Sequence, residues 1–233
     1  DLTDFARQRA SLLSGALHLG VIPSVAPYVL PPLLPLLRDQ YPDLDLHIRE
    51  TQTQPLLQQL LDGTLDLLLL ALPVNHPAIE TVPLFEDRFL LALPRTHSTQ
   101  GRVRATADLI KGDRLLLLEE GHCLRDQALT FCQLRQVDSI NTFGASSLST
   151  IVQMVANGLG LTLLPEISVD LETRHADIRV MRFAEPEPSR TLGLAWRSTC
   201  SRKRDFVEVG RLITSVARLR PPRKAVRGMA AFG

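Results

Sequence analysis

The chain has 233 residues, 45% hydrophobic and 22% charged, with a formal net charge of +1. That is the composition of a globular protein with ample core and no need of disulfide staples. It excludes a strongly basic or acidic domain, and three cysteines, an odd number, exclude an extracellular disulfide framework. The expected compartment is therefore reducing and cytoplasmic. No stretch reaches the roughly 20 apolar residues of a membrane span, and residues 1–15 carry no secretory pattern.

In chain order, Leu17 to Ile22 reads as a short strand, and Val25 to Tyr41 as a helix with Val29, Leu33, Leu36 and Leu37 on one face. Its prolines are expected near the front, where a missing N–H costs least. Leu44 to Glu50 alternates like a half-buried strand. Thr53 is expected to cap a helix from Pro55 to Leu61, which Gly63 ends, and Leu65 to Leu72 is a strand covered on both faces. This β-α-β-α-β rhythm implies a parallel sheet with crossover helices.

Two strands are expected next, near Glu80 to Leu84 and Arg88 to Leu93. A second α/β series follows: strands at Arg114 to Leu118, Ile140 to Phe143 and Leu161 to Leu164, and a helix capped by Ser147 and stopped by Gly158. Arg190 to Trp196 reads as a strand returning to the first lobe, and Phe206 to Leu219 as a helix packing there. The sequence thus predicts two α/β lobes joined by two crossings, with a cleft between them. From Arg197 to Arg227 ten Lys or Arg residues face only Asp205 and Glu208, which reads as a solvated helix followed by a frayed tail.

The chemistry-bearing segment runs from Glu119 to Cys132. A thiol attacks peroxide as thiolate, which nearby positive charge or a helix N-terminus favours. Cys123 follows His122 and precedes Arg125 by two residues, and Gly121 stands where a helix would open. His122, Arg125, Asp126 and hydroxyls from the other lobe are candidates to orient peroxide and protonate the departing hydroxide. Cys132 lies nine residues after Cys123. On one regular helix that places them roughly 13 Å apart, whereas a disulfide needs Cα atoms within about 7 Å. The pair could bond only after local unfolding. Spacing by itself does not separate such a switch from two inert core thiols. It fits no zinc pattern, so neither metal nor cofactor is expected. Cys200 reads as an incidental thiol.

Gly121-His122-Cys123-Leu124-Arg125-Asp126-Gln127, with Phe131-Cys132, resembles the redox loop of the OxyR group of LysR-type transcriptional regulators. Gly20 to Tyr28, Glu50 to Thr53, Gly160 to Pro165 and Glu187 to Thr191 are similar to other runs of that family, and the likeness covers Gly15 to Leu219. The resemblance implies a two-lobe, periplasmic-binding-protein-like fold with two crossover strands. Residues 15–86 and 192–220 would form one lobe and 87–191 the other. Residues 1–14 would be the end of a linker and 221–233 a tail, with the winged helix-turn-helix lying upstream. It further implies that Cys123 is oxidised by hydrogen peroxide and captured by Cys132. Ser24 (in place of a family threonine), Thr53, His122 and Asp126 would bind peroxide, and Arg190 would act as an orienting cation beside Arg125. Implied partners are a second copy through this domain, a tetramer when intact, promoter DNA and RNA polymerase for the full-length protein, and glutaredoxin or glutathione as reductant. Two rival readings are a non-redox small-molecule sensor of the same fold and a thiol peroxidase; thiol titration and sustained peroxide turnover would tell them apart.

Overall fold

The computed structural model describes residues 12–99, 101–106, 109–110, 112–134 and 143–218, with the backbone alone at 132–134, 143–144 and 218. Residues 1–11 of the expected linker end (1–14), the strand start at Ile140 and the tail from 221 lie outside the described residues.

The first lobe grows from β1 (Gly15–Val21), which pairs in parallel with both β2 (Leu44–Glu50) and β3 (Leu67–Leu72). The crossover helices are α1 (Ala26–Gln40) and α2 (Thr53–Leu61). Each turns its apolar stripe to the sheet: Ala26, Val29, Leu33 and Leu37 from α1, Leu56 and Leu60 from α2. Leu67 to Leu70 of β3 are all fully buried, as a strand covered on both faces requires. Gly20 is needed where α2 crosses the sheet, because a Cβ there would meet Leu56, Leu65 and Leu68 at 2.6–2.8 Å.

The prolines of α1 depart from expectation. Only Pro27 lies in its first turn; Pro31, Pro32 and Pro35 stand inside the helix. All three are on its exposed side, so water can satisfy the carbonyls that lose a donor.

β4 (Ile79–Pro94) is one long strand where two were expected. The register shifts between Pro83 and Phe85, a bulge that accommodates the proline without ending the strand. Residues 79–88 pair antiparallel with β9 (Ser189–Arg197), while 89–94 pair with β7 (Thr162–Pro165) and β8 (Ile178–Arg182). β9 in turn pairs with β3. β4 and β9 are therefore the two crossings, and the large sheet runs β2-β1-β3-β9-β4-β7, with β8 also on β4.

The second lobe adds a small parallel pair, β5 (Leu116–Leu118) and β6 (Phe143–Ala145), tied to β7 through a bridge between Leu115 and Leu161. Its helices are α3 (Cys123–Leu134), α4 (Leu148–Ala156) and the short α5 (Glu166–Glu172). Ser147 caps α4 as expected, its hydroxyl accepting from the Thr150 amide. Neither α5 nor β8 is legible from periodicity: α5 has seven residues, and Arg179 and Arg182 interrupt the apolar run of β8. The last helix, α6 (Lys203–Arg218), returns to the first lobe and buries Phe206, Val209, Leu212, Ile213 and Val216. No helix among the described residues is long and apolar enough to cross a membrane.

Candidate functional site

The site forms where the β5–α3 turn of the second lobe meets the loop between β2 and α2 of the first. Cys123 is the first residue of α3, a free and partly buried thiol, at the end where unsatisfied backbone N–H groups concentrate. The chain reaches it through Glu119 to His122, anchored by the Glu119 amide on Ala145 and turned at Gly121, whose φ is +89°. That left-handed conformation favours glycine, and space requires it as well. A Cβ there would stand 2.5 Å from Oε1 of Gln52, whose Nε2 donates to the Glu120 carbonyl at 3.3 Å. The two lobes thus touch two residues before the thiol.

Thr53, adjacent to Gln52, is not the cap of α2. It is the first helical residue, and its Oγ1 is buried without a hydrogen-bond partner among the described residues. The same holds for Oε1 of Gln127, one turn beyond Cys123. A buried polar oxygen with no protein partner calls for a water or a polar ligand. Gln127 is a candidate that sequence reasoning did not single out. Its signal was the four-residue spacing from Cys123, which puts both on one helix face.

His122 is buried, at 8% exposure. Burial pushes its imidazole down from the ordinary value, against an opposing pull from Glu119. It therefore enters the site neutral, with one N–H donor and one acceptor. Desolvation thus works against a positive charge on His122 beside Cys123. Arg125 lies along the turn, with Nη1 3.5 Å from the Leu118 carbonyl. Asp126 is exposed in the first turn of α3, at the positive end of the helix dipole.

Ser24, in the loop after β1, and Arg190, in β9, are in direct contact. Arg190 donates from Nη1 to Ser24 Oγ at 2.8 Å and from Nη2 to the Ser24 carbonyl at 3.1 Å. Its Nε and Nη2 hold Asp87 Oδ2, each at 2.9 Å, and both side chains are wholly buried. The guanidinium also lies over Phe89, 6.0 Å from the ring centre. Asp87, absent from the sequence reading, accepts the Ile167 amide at 3.1 Å through Oδ1. Burial pushes its carboxyl up, opposed by Arg190 and by that amide. Nothing local in the sequence signals this carboxylate; strand register alone sets it opposite Arg190.

Cys132 lies on the α3 backbone, nine residues from Cys123 on one continuous helix. At about 1.5 Å per residue the two Cα atoms are roughly 13 Å apart, beyond the reach of a disulfide. Cys200 sits elsewhere, in the turn between β9 and α6, its sulfur accepting the Arg202 amide at 3.4 Å. Among the described residues no group of three His, Cys, Asp or Glu is placed to hold a metal ion.

A two-lobe α/β sensor fold with a thiol at the lobe junction defines a class, and comparison with known proteins agrees. The LysR substrate binding domain family matches residues 10–215. A probable hydrogen peroxide-inducible genes activator of Streptomyces viridosporus is 46% identical over 214 residues, which cover 90% of this chain and 68% of that protein. The transcriptional dual regulator OxyR of Escherichia coli K12 is 42% identical over 196 residues, covering 84% and 64%. Among solved structures, a peroxide-bound cysteine-to-serine mutant of Corynebacterium glutamicum OxyR superposes with a TM-score of 0.85 at 34% identity, covering 93% of this chain and 70% of that one. This chain belongs to the LysR family, within the hydrogen peroxide-inducible activators, and spans about two thirds of the length of these curated relatives.

Proposed function

We propose that this chain is the hydrogen-peroxide-sensing part of a transcription regulator, and that Cys123 is the group peroxide oxidises. The observation that carries this reading is a free thiol at a helix start, in a lobe junction where buried oxygens of Thr53 and Gln127 lack protein partners among the described residues. The relatives and the peroxide-bound neighbour supply the chemistry.

The thiolate of Cys123 attacks one peroxide oxygen, the O–O bond breaks, and the other oxygen leaves as hydroxide, which takes a proton to become water. Sulfur is oxidised to a sulfenic acid and peroxide is reduced. Ser24, Thr53, neutral His122 and Gln127 are the groups that hold the two oxygens and supply that proton, with Arg190 steadying Ser24. The Cys132 thiol then attacks the sulfenic sulfur, releasing water and leaving a disulfide. Because a continuous helix separates the pair, α3 must come apart for this second step. Reopening by glutaredoxin or glutathione would make the cycle slow and reversible, a sensor rather than an enzyme. The output, through a dimer of this domain and a tetramer of the full-length protein, would be promoter DNA and RNA polymerase in the cytoplasm.

Peptide mass mapping after a small excess of peroxide tests this. A Cys123–Cys132 link is expected in the parent, a trappable sulfenic acid at Cys123 in Cys132→Ser, and no oxidation of the segment in Cys123→Ser. First oxidation at Cys132 or Cys200 would overturn the assignment.

A further inference from the structure

The Asp87–Arg190 pair is the most deeply buried charge in the described structure, and nothing in the oxidation chemistry above uses Asp87. Its carboxylate works in two directions. Oδ2 holds the guanidinium of Arg190, the residue paired with it across the two crossing strands, and Oδ1 accepts the first-turn amide of α5 at Ile167. Arg190 in turn grips both the hydroxyl and the carbonyl of Ser24. A single carboxylate thereby ties both crossings, a helix of the second lobe and, through Arg190, the Ser24 hydroxyl of the first.

Stability alone is a weak reason for such a pair, since well-packed apolar residues avoid its desolvation cost. Geometry gives a better one. A guanidinium has five donors and no acceptor, so Ser24 Oγ accepts from it and the hydroxyl hydrogen must point elsewhere. Without Asp87 the guanidinium would have no buried anion to fix its plane, and that hydrogen would lose its direction.

We propose that Asp87 is a positioning residue for peroxide reduction: through Arg190 it orients the Ser24 hydroxyl so that its hydrogen is donated to the departing peroxide oxygen. This inference rests on the peroxide-sensing reading. Asp87 itself touches neither peroxide nor sulfur.

The test compares two reagents on the reduced protein, hydrogen peroxide and iodoacetamide, each followed by loss of the Cys123 thiol in a Cys200→Ser background. Alkylation needs the thiol but no donor to a leaving hydroxide, so a merely structural defect would alter both rates. Asp87→Asn should slow peroxide oxidation by about tenfold or more, the scale for misplacing one preorganised donor, and leave alkylation within about twofold. Asp87→Glu should recover part of the peroxide rate. In an Arg190→Gln background, Asp87→Asn should add nothing, and that neutral pair also serves if Asp87→Asn alone fails to fold. Equal slowing with both reagents, or further slowing in the Arg190→Gln background, would overturn the proposal. A parent protein no faster toward peroxide than a free thiol would instead bring down the sensing reading itself, and that outcome is visible before any Asp87 variant is made.

Discussion

The central sheet of the first lobe and the cysteine helix of the second are built to opposite standards. Four successive leucines of β3 are completely buried, with paired strands on both edges and helices over the faces. α3 rests on a two-stranded pair of three residues each, and from Cys123 to Phe131 only Leu124 and Ala128 are buried. Leu129 and Phe131 are partly buried, the latter edge-on to Phe183 at 5.0 Å. Burying one such side chain is worth roughly 1.5–3 kcal/mol, and a disulfide typically contributes 2–4 kcal/mol. At these magnitudes a bond between Cys123 and Cys132 would offset the exposure of about one or two such side chains of α3, but not the loss of the sheet. A switch of this kind needs a frame that does not yield and one segment that does.

The largest expected contrast is in amide hydrogen exchange. Amides of β3 should exchange through global unfolding, and those of α3 at least about a hundredfold faster through local opening, with a further change in α3 alone on oxidation. Equal protection in the two segments, or an unchanged α3 after oxidation, would break the comparison.

Truncation should separate them next. Leu68→Ala should lower the unfolding free energy by about 2–5 kcal/mol, near the upper end, as read by urea denaturation. Leu124→Ala should cost the whole molecule less and show mainly as faster exchange in α3.

Gly121→Ala meets both a left-handed backbone and the Gln52 carboxamide. It should cost about 1–2 kcal/mol of local stability and hasten disulfide formation after peroxide. Gln52→Ala should relieve part of that cost in the double variant.

A smaller effect concerns pH. His122 is held below its unfolded value of 6.5, so the unfolded chain takes up its proton first. This stability is fully present above pH 6.5 and is lost as the pH falls from there through the depressed folded value. His122→Gln should flatten that slope in denaturation curves taken across the window. A slope unchanged by the substitution would show that some other group carries it. The smallest effect is expected at Cys200→Ser, which lies outside both regions: peroxide sensitivity and stability should stay as in the parent.

Much of the frame was legible in the residues themselves. The apolar run of β3 and the Ser147 cap depend on neighbours within a few positions, and local patterns of this kind survive folding. The alternation of β2 gave its strand but not a buried face, Ile48 being 40% exposed. β4 read as two strands because Pro83 is locally a strand breaker and only pairing with β9 shows the bulge that absorbs it. At the site, Cys123 and Cys132 stood out by chemistry and spacing.

Tertiary structure decided the rest, because each remaining feature depends on what a side chain meets from far along the chain. Thr53 looks like a cap in the sequence, yet folding buries its hydroxyl without a partner among the described residues. His122 looks like a cation beside a thiol, yet enclosure pushes its imidazole below the ordinary value. Asp87 looks like an ordinary strand-edge acid, and becomes the buried partner of Arg190 only when two segments 103 residues apart are laid antiparallel. The sequence alone determined most of the longer elements and singled out the candidate sulfurs. The charge states and partners around those sulfurs come from burial and register, which no local pattern encodes.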